Sequence, residues 1–198
     1  MTRRRNPYQR PDHFTRQAQE RGFAARSVFK LEEIDRRLGL FKRGQRVLDL
    51  GAAPGSWAQY AGQKVGTEGR VLAVDRRPLA RAPAANVTFL EGDALSLDPS
   101  ALSMYAPYDV LLSDMAPFTT GTREADQARS FELFMRALDL TTVLLDKGGS
   151  FVGKIFMGGD FPLAKRRVRE VFLHERSLRP EGTREASFEI FIAGMGRR

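Results

Sequence analysis

The sequence contains no cysteine. That absence excludes disulfides, thiolate zinc sites, iron–sulfur clusters and any cysteine nucleophile. Histidine is almost as scarce: His13 and His174 are the only two, far apart in the chain, and neither belongs to a visible metal-ligand cluster. No apolar run approaches the ~20 residues that a membrane helix needs. The first residues carry no apolar stretch of the signal-peptide kind. These absences set the expectation of a reducing, cytoplasmic compartment with no membrane contact. What is present is ordinary for a folded domain. The 198 residues are 42% hydrophobic and 28% charged, enough to bury a core without covalent staples.

Acidic residues are the next shortage, and it is local. The chain carries 32 basic and 24 acidic side chains, a net charge of +8. Between residues 1 and 30 eight basic side chains face only Asp12 and Glu20, so six of the eight net charges lie there. Arg3, Arg4, Arg5, Arg10 and Arg26 form the heart of this cluster, and a polyanion such as RNA is the partner it suits, through counterion release. A solubilising tail explains the charge equally well. Pro7, Pro11 and the arginine triplet predict a loose arm over residues 1–12, with a single domain over residues 13–198. A second basic group, Lys165, Arg166 and Arg167, falls on a predicted helix and is either a further RNA contact or a solvated face.

Hydrophobic periodicity then alternates between two kinds. Val28, Leu31, Ile34 and Leu38 recur at helical spacing before Gly39. Short β-rich runs follow at 46–50, 70–75, 87–93, 108–114, 149–156, 174–180 and 187–194, with helical stretches at 126–145 and 161–172. Strands separated by helices predict a mainly parallel sheet covered on both faces. Only residues 181–186 separate the last two strands, too few for a helical crossover, so these should run antiparallel.

The first strand runs into a glycine loop, VLDLGAAPGSW, with a helix opening near Ser56. Gly51, Ala52, Pro54, Gly55 and Ser56 let a ligand approach the backbone and a helix N-terminus. The dinucleotide fingerprint G-x-G-x-x-G is absent, because the middle glycine that admits a pyrophosphate is missing. Asp75 ends the second strand, 20 residues after Gly55, where a carboxylate can bind ribose hydroxyls. Asp93, at the end of the third, is placed to accept from an adenine amino group. Asp49, just before the loop, either orients it or meets an ammonium. Strand-terminal aspartates are also ordinary turn formers. Three in successive strands favour a ligand with an adenosine and a compact cationic end, which fits S-adenosylmethionine. Trp57 then packs beside the methionine moiety, or simply covers its helix against the sheet.

The fourth strand ends in SDMAP, with Asp114 at the turn. The Asn or Asp, Pro-Pro, aromatic pattern of amino-group methylases is absent. Carbon methylation through a cysteine adduct is excluded by composition. A hydroxyl acceptor remains. Lys154 lies inside the apolar run FVGKIF, an unusual place for a lysine unless it snorkels at an edge.

FAARSVFKLEEI, VLDLGAAPGSW, SDMAP, GSFVGKIF and the S-x-E of SFEIF occur in this order. Together they resemble the FtsJ-type ribose 2′-O-methyltransferases, within them the bacterial ribosomal RNA large subunit methyltransferase E group, over residues 13–196. The resemblance implies an α/β fold of the Rossmann-like methyltransferase type: a mostly parallel seven-stranded sheet with an antiparallel last strand and helices on both faces. It implies a catalytic tetrad of Lys30, Asp114, Lys154 and Glu189. It also implies cofactor contacts from Gly55, Trp57, Asp75 and Asp93, with Asp114 near the methyl donor. The implied activity is S-adenosylmethionine-dependent 2′-O-methylation of RNA by a monomer, on a uridine of large-subunit ribosomal RNA. A tRNA methyltransferase of the same fold, or a non-catalytic RNA-binding protein that kept it, are the alternatives. Phe118 departs from the pattern, since many relatives carry Asn after SDMAP. A ribose hydroxyl must lose its proton as it attacks, so Lys154 either takes that proton as a neutral amine or, charged, positions the hydroxyl for late proton loss.

Overall fold

The computed structural model describes residues 13–183 and 187–198. Two helices, α1 (His13–Glu20) and α2 (Val28–Leu38), precede the alternating part of the chain. There β1 (Arg46–Leu50), α3 (Ser56–Val65), β2 (Arg70–Asp75), β3 (Val87–Glu91) and β4 (Tyr108–Ser113) follow one another. The chain continues through α4 (Arg123–Leu144), β5 (Leu145–Phe156), α5 (Phe161–Val171), β6 (Phe172–Leu178) and β7 (Glu189–Arg197). No helix among the described residues is long and apolar enough to cross a membrane.

The seven strands form one sheet in the order β3-β2-β1-β4-β5-β7-β6. The ladders from β3 to β5 are parallel, and β7 inserts antiparallel between β5 and β6. Successive side chains on a strand leave by opposite faces, so strands buried on both sides read as continuous apolar runs. Val47, Val71, Val110, Val152 and Ala193 accordingly pack on one face, under α1, α2 and α3. Leu48, Leu72, Leu111, Phe151 and Ile192 pack on the other, under α4 and α5. The helices answer with matching stripes. In α2 the stripe is Val28, Leu31 and Ile34, and in α4 it includes Phe134 and Leu138. Gly39 ends α2 in the left-handed conformation, at φ 63°, which glycine adopts without steric cost.

Several boundaries move from where periodicity sets them. α4 opens at Arg123 rather than at residue 126, with Glu124 and Asp126 in its first turn, where negative charge suits the helix dipole. β5 begins at Leu145, with a register shift against β4 between Tyr108 and Val110. β6 and β7 lie at 172–178 and 189–197 rather than at 174–180 and 187–194, because each is in register with the other from Phe172 opposite Arg197 to Leu178 opposite Phe191.

The order of the sheet reverses between β1 and β4, and open α/β sheets bind ligands at that point, outside the C-terminal strand ends. The glycine loop after β1 and the SDMAP turn after β4 meet there. A Cβ added to Gly51 would lie 2.8 Å from Met115 Cγ and 2.9 Å from its backbone, and Gly51 has φ +75°. Both the space and the dihedral therefore demand glycine.

Candidate active site

A cavity of about 530 Å³ opens over these strand ends. Gly51, Asp75, Asp93 and Asp114 line it, as do Met115 of the SDMAP turn and Phe118 just after it. Asp75 does two jobs. Its Oδ2 accepts from the Ala53 amide and its Oδ1 from the Arg77 amide, both at 2.9 Å, so it pins the glycine loop from the side. A carboxylate has about four lone-pair positions, so acceptor capacity remains toward the cavity. Asp93 Oδ1 accepts from the Leu95 amide at 3.0 Å, and its Oδ2 lies 3.6 Å from the Arg76 guanidinium. The Asp93 loop is held from below by Arg136 of α4, which donates to the carbonyls of Ala94 and Leu97.

The remaining loop residues lie behind the cavity wall. Ala52, Gly55 and Ser56 are buried, and the Ser56 hydroxyl shares a hydrogen bond of 2.8 Å with that of Ser27. Pro54 is absent from the lining. Of the two roles open to Trp57, the structure shows the packing one. The indole is 2% exposed, donates to the Ser27 carbonyl at 2.9 Å, and packs on Phe191 with ring centroids 5.6 Å apart. α2 covers it, and that contact is invisible in the local sequence. Asp49 is wholly buried beneath the loop, and neither carboxylate oxygen has a hydrogen-bond partner among the described residues. Burial, then the negative charges of Asp114 and Asp75, holds its carboxyl well above the ordinary range.

Beside the cavity two ion pairs meet. The Lys154 ammonium of β5, 7% exposed, lies 2.8 Å from Asp114 Oδ1 and 2.7 Å from the Asp114 carbonyl. Lys30 of α2 pairs with Glu189 Oε1 at the start of β7. Lys154 sits opposite Phe191, and Glu189 opposite Phe156. Alternation therefore puts Glu189 and Lys154 on the same face as diagonal neighbours. The segment after β6 closes over Lys30: Arg26 donates to the Gly182 carbonyl at 2.9 Å, and the Glu181 amide donates to Glu33 Oε2 at 2.8 Å. Four residues spread over 160 positions of chain thus form two adjoining acid–lysine pairs.

Sequence reasoning missed part of the cavity wall. Arg129, Glu132 and Leu133 of α4 line it, but on the helix they read only as the flank of an apolar stripe. The basic residues of α5 do not reach it. Lys165 and Arg169 pair with Glu175 of β6 at 3.7 and 3.0 Å, and Arg167 pairs with Glu170 at 2.7 Å. Arg3, Arg4, Arg5 and Arg10 lie outside the described residues.

A glycine loop at the switch point of an open sheet, carboxylates at three strand ends and a buried lysine held by an aspartate are the arrangement of an α/β group-transfer enzyme. The chain belongs to the FtsJ-like methyltransferase family, whose model matches residues 23–197. It is 58% identical over 194 residues to a ribosomal RNA large subunit methyltransferase E from Sorangium cellulosum, covering 98% of this chain and 92% of that protein. It is 44% identical over 195 residues to the protein of the same name from Bdellovibrio bacteriovorus, covering 96% of this chain and 99% of the other. A solved structure from Plasmodium falciparum, provisionally designated a ribosomal RNA methyltransferase, superimposes with a TM-score of 0.78 at 21% identity, over 88% of this chain and 98% of its own. The likeness to that structure carries the fold. The family and the two relatives make the chain a methyltransferase.

Proposed function

We propose that this methyltransferase moves the methyl group of S-adenosylmethionine to a ribose 2′-hydroxyl of RNA, on a uridine of the large ribosomal subunit, acting as a cytoplasmic monomer. The observation that carries the reading is the Lys154–Asp114 pair, set at the edge of the cavity and adjoined by Lys30–Glu189. The names of the relatives supply the substrate class.

The residues present fit the cofactor. Asp75 and Asp114 line the cavity, and Asp49 lies buried beneath the glycine loop with neither carboxylate oxygen hydrogen-bonded among the described residues. Such a group is costly unless an opposite charge approaches. S-adenosylmethionine carries an ammonium and a sulfonium. Asp75 and Asp93 offer acceptors to an adenosine, with Met115, Leu95 and Leu133 as apolar flanks for a purine ring. Bound there, the cofactor supplies an electrophilic methyl group and leaves as a neutral thioether once the carbon–sulfur bond breaks.

The protein's own work is on the acceptor. Lys154 Nζ has two acceptors, both on Asp114. If Nζ gives up a proton, these acceptors match its two remaining N–H donors and leave a lone pair for the ribose hydroxyl. The hydroxyl oxygen forms the new bond to carbon as its proton passes to Nζ, and the ammonium so formed is held by Asp114. General-base help of this kind is worth ~10²–10⁴ in rate, and in-line placement supplies more. Lys30 and Glu189 hold the other side of the acceptor, with Lys30 donating to its oxygens.

The test is transfer of labelled methyl groups to large ribosomal subunits, free ribosomal RNA and tRNA in parallel, followed by nuclease mapping. Label in a 2′-O-methyluridine of large-subunit RNA is the expected result. Label confined to tRNA, or on a base, overturns the assignment.

A further inference from the structure

The acceptor side carries an aromatic surface that the chemistry above does not use. The β5–β7 ladder continues one step beyond Phe156 and Glu189, because the Met157 amide donates to the Phe188 carbonyl at 2.8 Å. Glu189 leaves the ladder on the face of Lys154, so Phe188 leaves with Met157 on the other. Both are exposed, Phe188 by 47% and Met157 by 41%. Arg123, in the first turn of α4, lays its guanidinium 4.0 Å from the centroid of the Phe188 ring. Gln127, one turn further on, donates to the Met157 carbonyl and ties that helix end to the shelf. Arg179 donates to the Ser187 carbonyl at 2.9 Å and so ties down the residue before the ring.

A solitary exposed phenylalanine needs no explanation. This one is backed by the Arg123 guanidinium, flanked by a thioether, and joined directly to Glu189. Unpaired RNA bases are held in this way, on aromatic rings and arginine planes, with neighbouring cations for the phosphates. We propose that Phe188, backed by Arg123, is the stacking shelf for one unpaired base of the RNA substrate. The proposal rests on the RNA reading of the site. Because Phe188 and Glu189 leave the strand by opposite faces, the base on the shelf belongs to a nucleotide beside the acceptor and not to the acceptor itself. Every base has a π-face, so the shelf holds the strand without reading its sequence.

The experiment compares wild type with F188A, F188L and F188Y, using large ribosomal subunits from cells that lack the enzyme. For each protein kcat and KM for the subunits are measured, with cofactor affinity by calorimetry and a thermal melt. F188A should raise KM for the RNA about 5- to 150-fold, the range for one lost base–aromatic stack. Its kcat and cofactor affinity should stay within a few-fold of wild type. F188Y should restore KM and F188L should not, since only the aromatic face stacks. As a direct readout, F188W should be quenched by oligouridylate but not by an abasic oligomer of equal length; the native Trp57 is buried. Wild-type kinetics in F188A, full rescue by leucine, or a loss that tracks cofactor affinity or melting temperature each overturns the shelf alone. A wild type that methylates no RNA overturns the proposed function and the shelf with it.

Discussion

Replacing Lys154 by Arg separates proton acceptance from charge. In the structure Nζ is bonded to Asp114 Oδ1 at 2.8 Å and to the Asp114 carbonyl at 2.7 Å, with the residue 7% exposed. A guanidinium keeps the positive charge and can hold both oxygens, but it has no lone pair to offer and does not deprotonate in proteins. If Lys154 takes the hydroxyl proton, K154R should lower the rate of methyl transfer by ~10²–10⁴, a rise in barrier of about 2.7–5.5 kcal/mol. Lys154→Met and Lys154→Ala should lose as much turnover and also strand Asp114. That aspartate is 18% exposed and lines the cavity, so water reaches it and the cost falls in the range of an ordinary lost partner, ~1–3 kcal/mol. For a domain of this size that is a drop of roughly 2–12 °C in melting temperature, which K154R should avoid. Cofactor affinity should stay within a few-fold in all three, because Gly51, Asp75 and Asp93 build that part of the cavity. Single-turnover transfer at saturating cofactor measures the chemical step, and calorimetry measures binding. K154R turning over within tenfold of wild type would refute the reasoning, since positive charge alone would then suffice.

Asp75→Ala and Asp93→Ala should each weaken S-adenosylmethionine by roughly ten- to a hundredfold in calorimetry, the loss of ~1.5–3 kcal/mol per charged acceptor. Asp75→Ala should be the worse, since it also frees the Ala53 amide of the glycine loop; unchanged affinity in both would remove them from the donor site. Asp49→Asn tests the buried carboxyl. A raised folded-state value means stability that is present below the ordinary carboxylate range near ~3.9 and lost as pH rises through the folded value. Without cofactor, Asn should therefore melt increasingly above wild type from pH 4 to pH 8, and a difference independent of pH would contradict the cause assigned. Replacing Arg3, Arg4 and Arg5 by Ala should lower RNA affinity and reduce the log–log salt slope by ~0.7–0.9 per residue, with cofactor binding untouched. Equal slopes would make the arm a solubilising tail.

Much of this protein was legible along the chain. The strand runs, the glycine loop and the aspartates at three strand ends are local features, because period-two alternation and turn chemistry depend on neighbours in sequence. The same locality predicted the antiparallel end of the sheet, from the short link before SFEIF. The pairings were not local. Lys30 meets Glu189 only because β7 slides between β5 and β6 and α2 lies over that face, whereas Lys154 meets Asp114 across the parallel β4–β5 ladder, one step beyond Ser113 opposite Gly153. Sequential parallel strands tend to neighbour, which sets Lys154 beside Asp114 from the sequence; the partner of Lys30 was not legible there. Trp57 looked free to touch a ligand until α2 brought the Ser27 carbonyl to its indole. On α5 the structure adds a partner from β6, Glu175, for Lys165 and Arg169, while Arg166 and Arg167 stay exposed. Asp75 looked like a ligand group alone, yet it also anchors the loop it faces. Periodicity tells which face a side chain leaves by, whereas the partner it meets there comes from a distant segment, and only the packing of the whole sheet decides which one arrives.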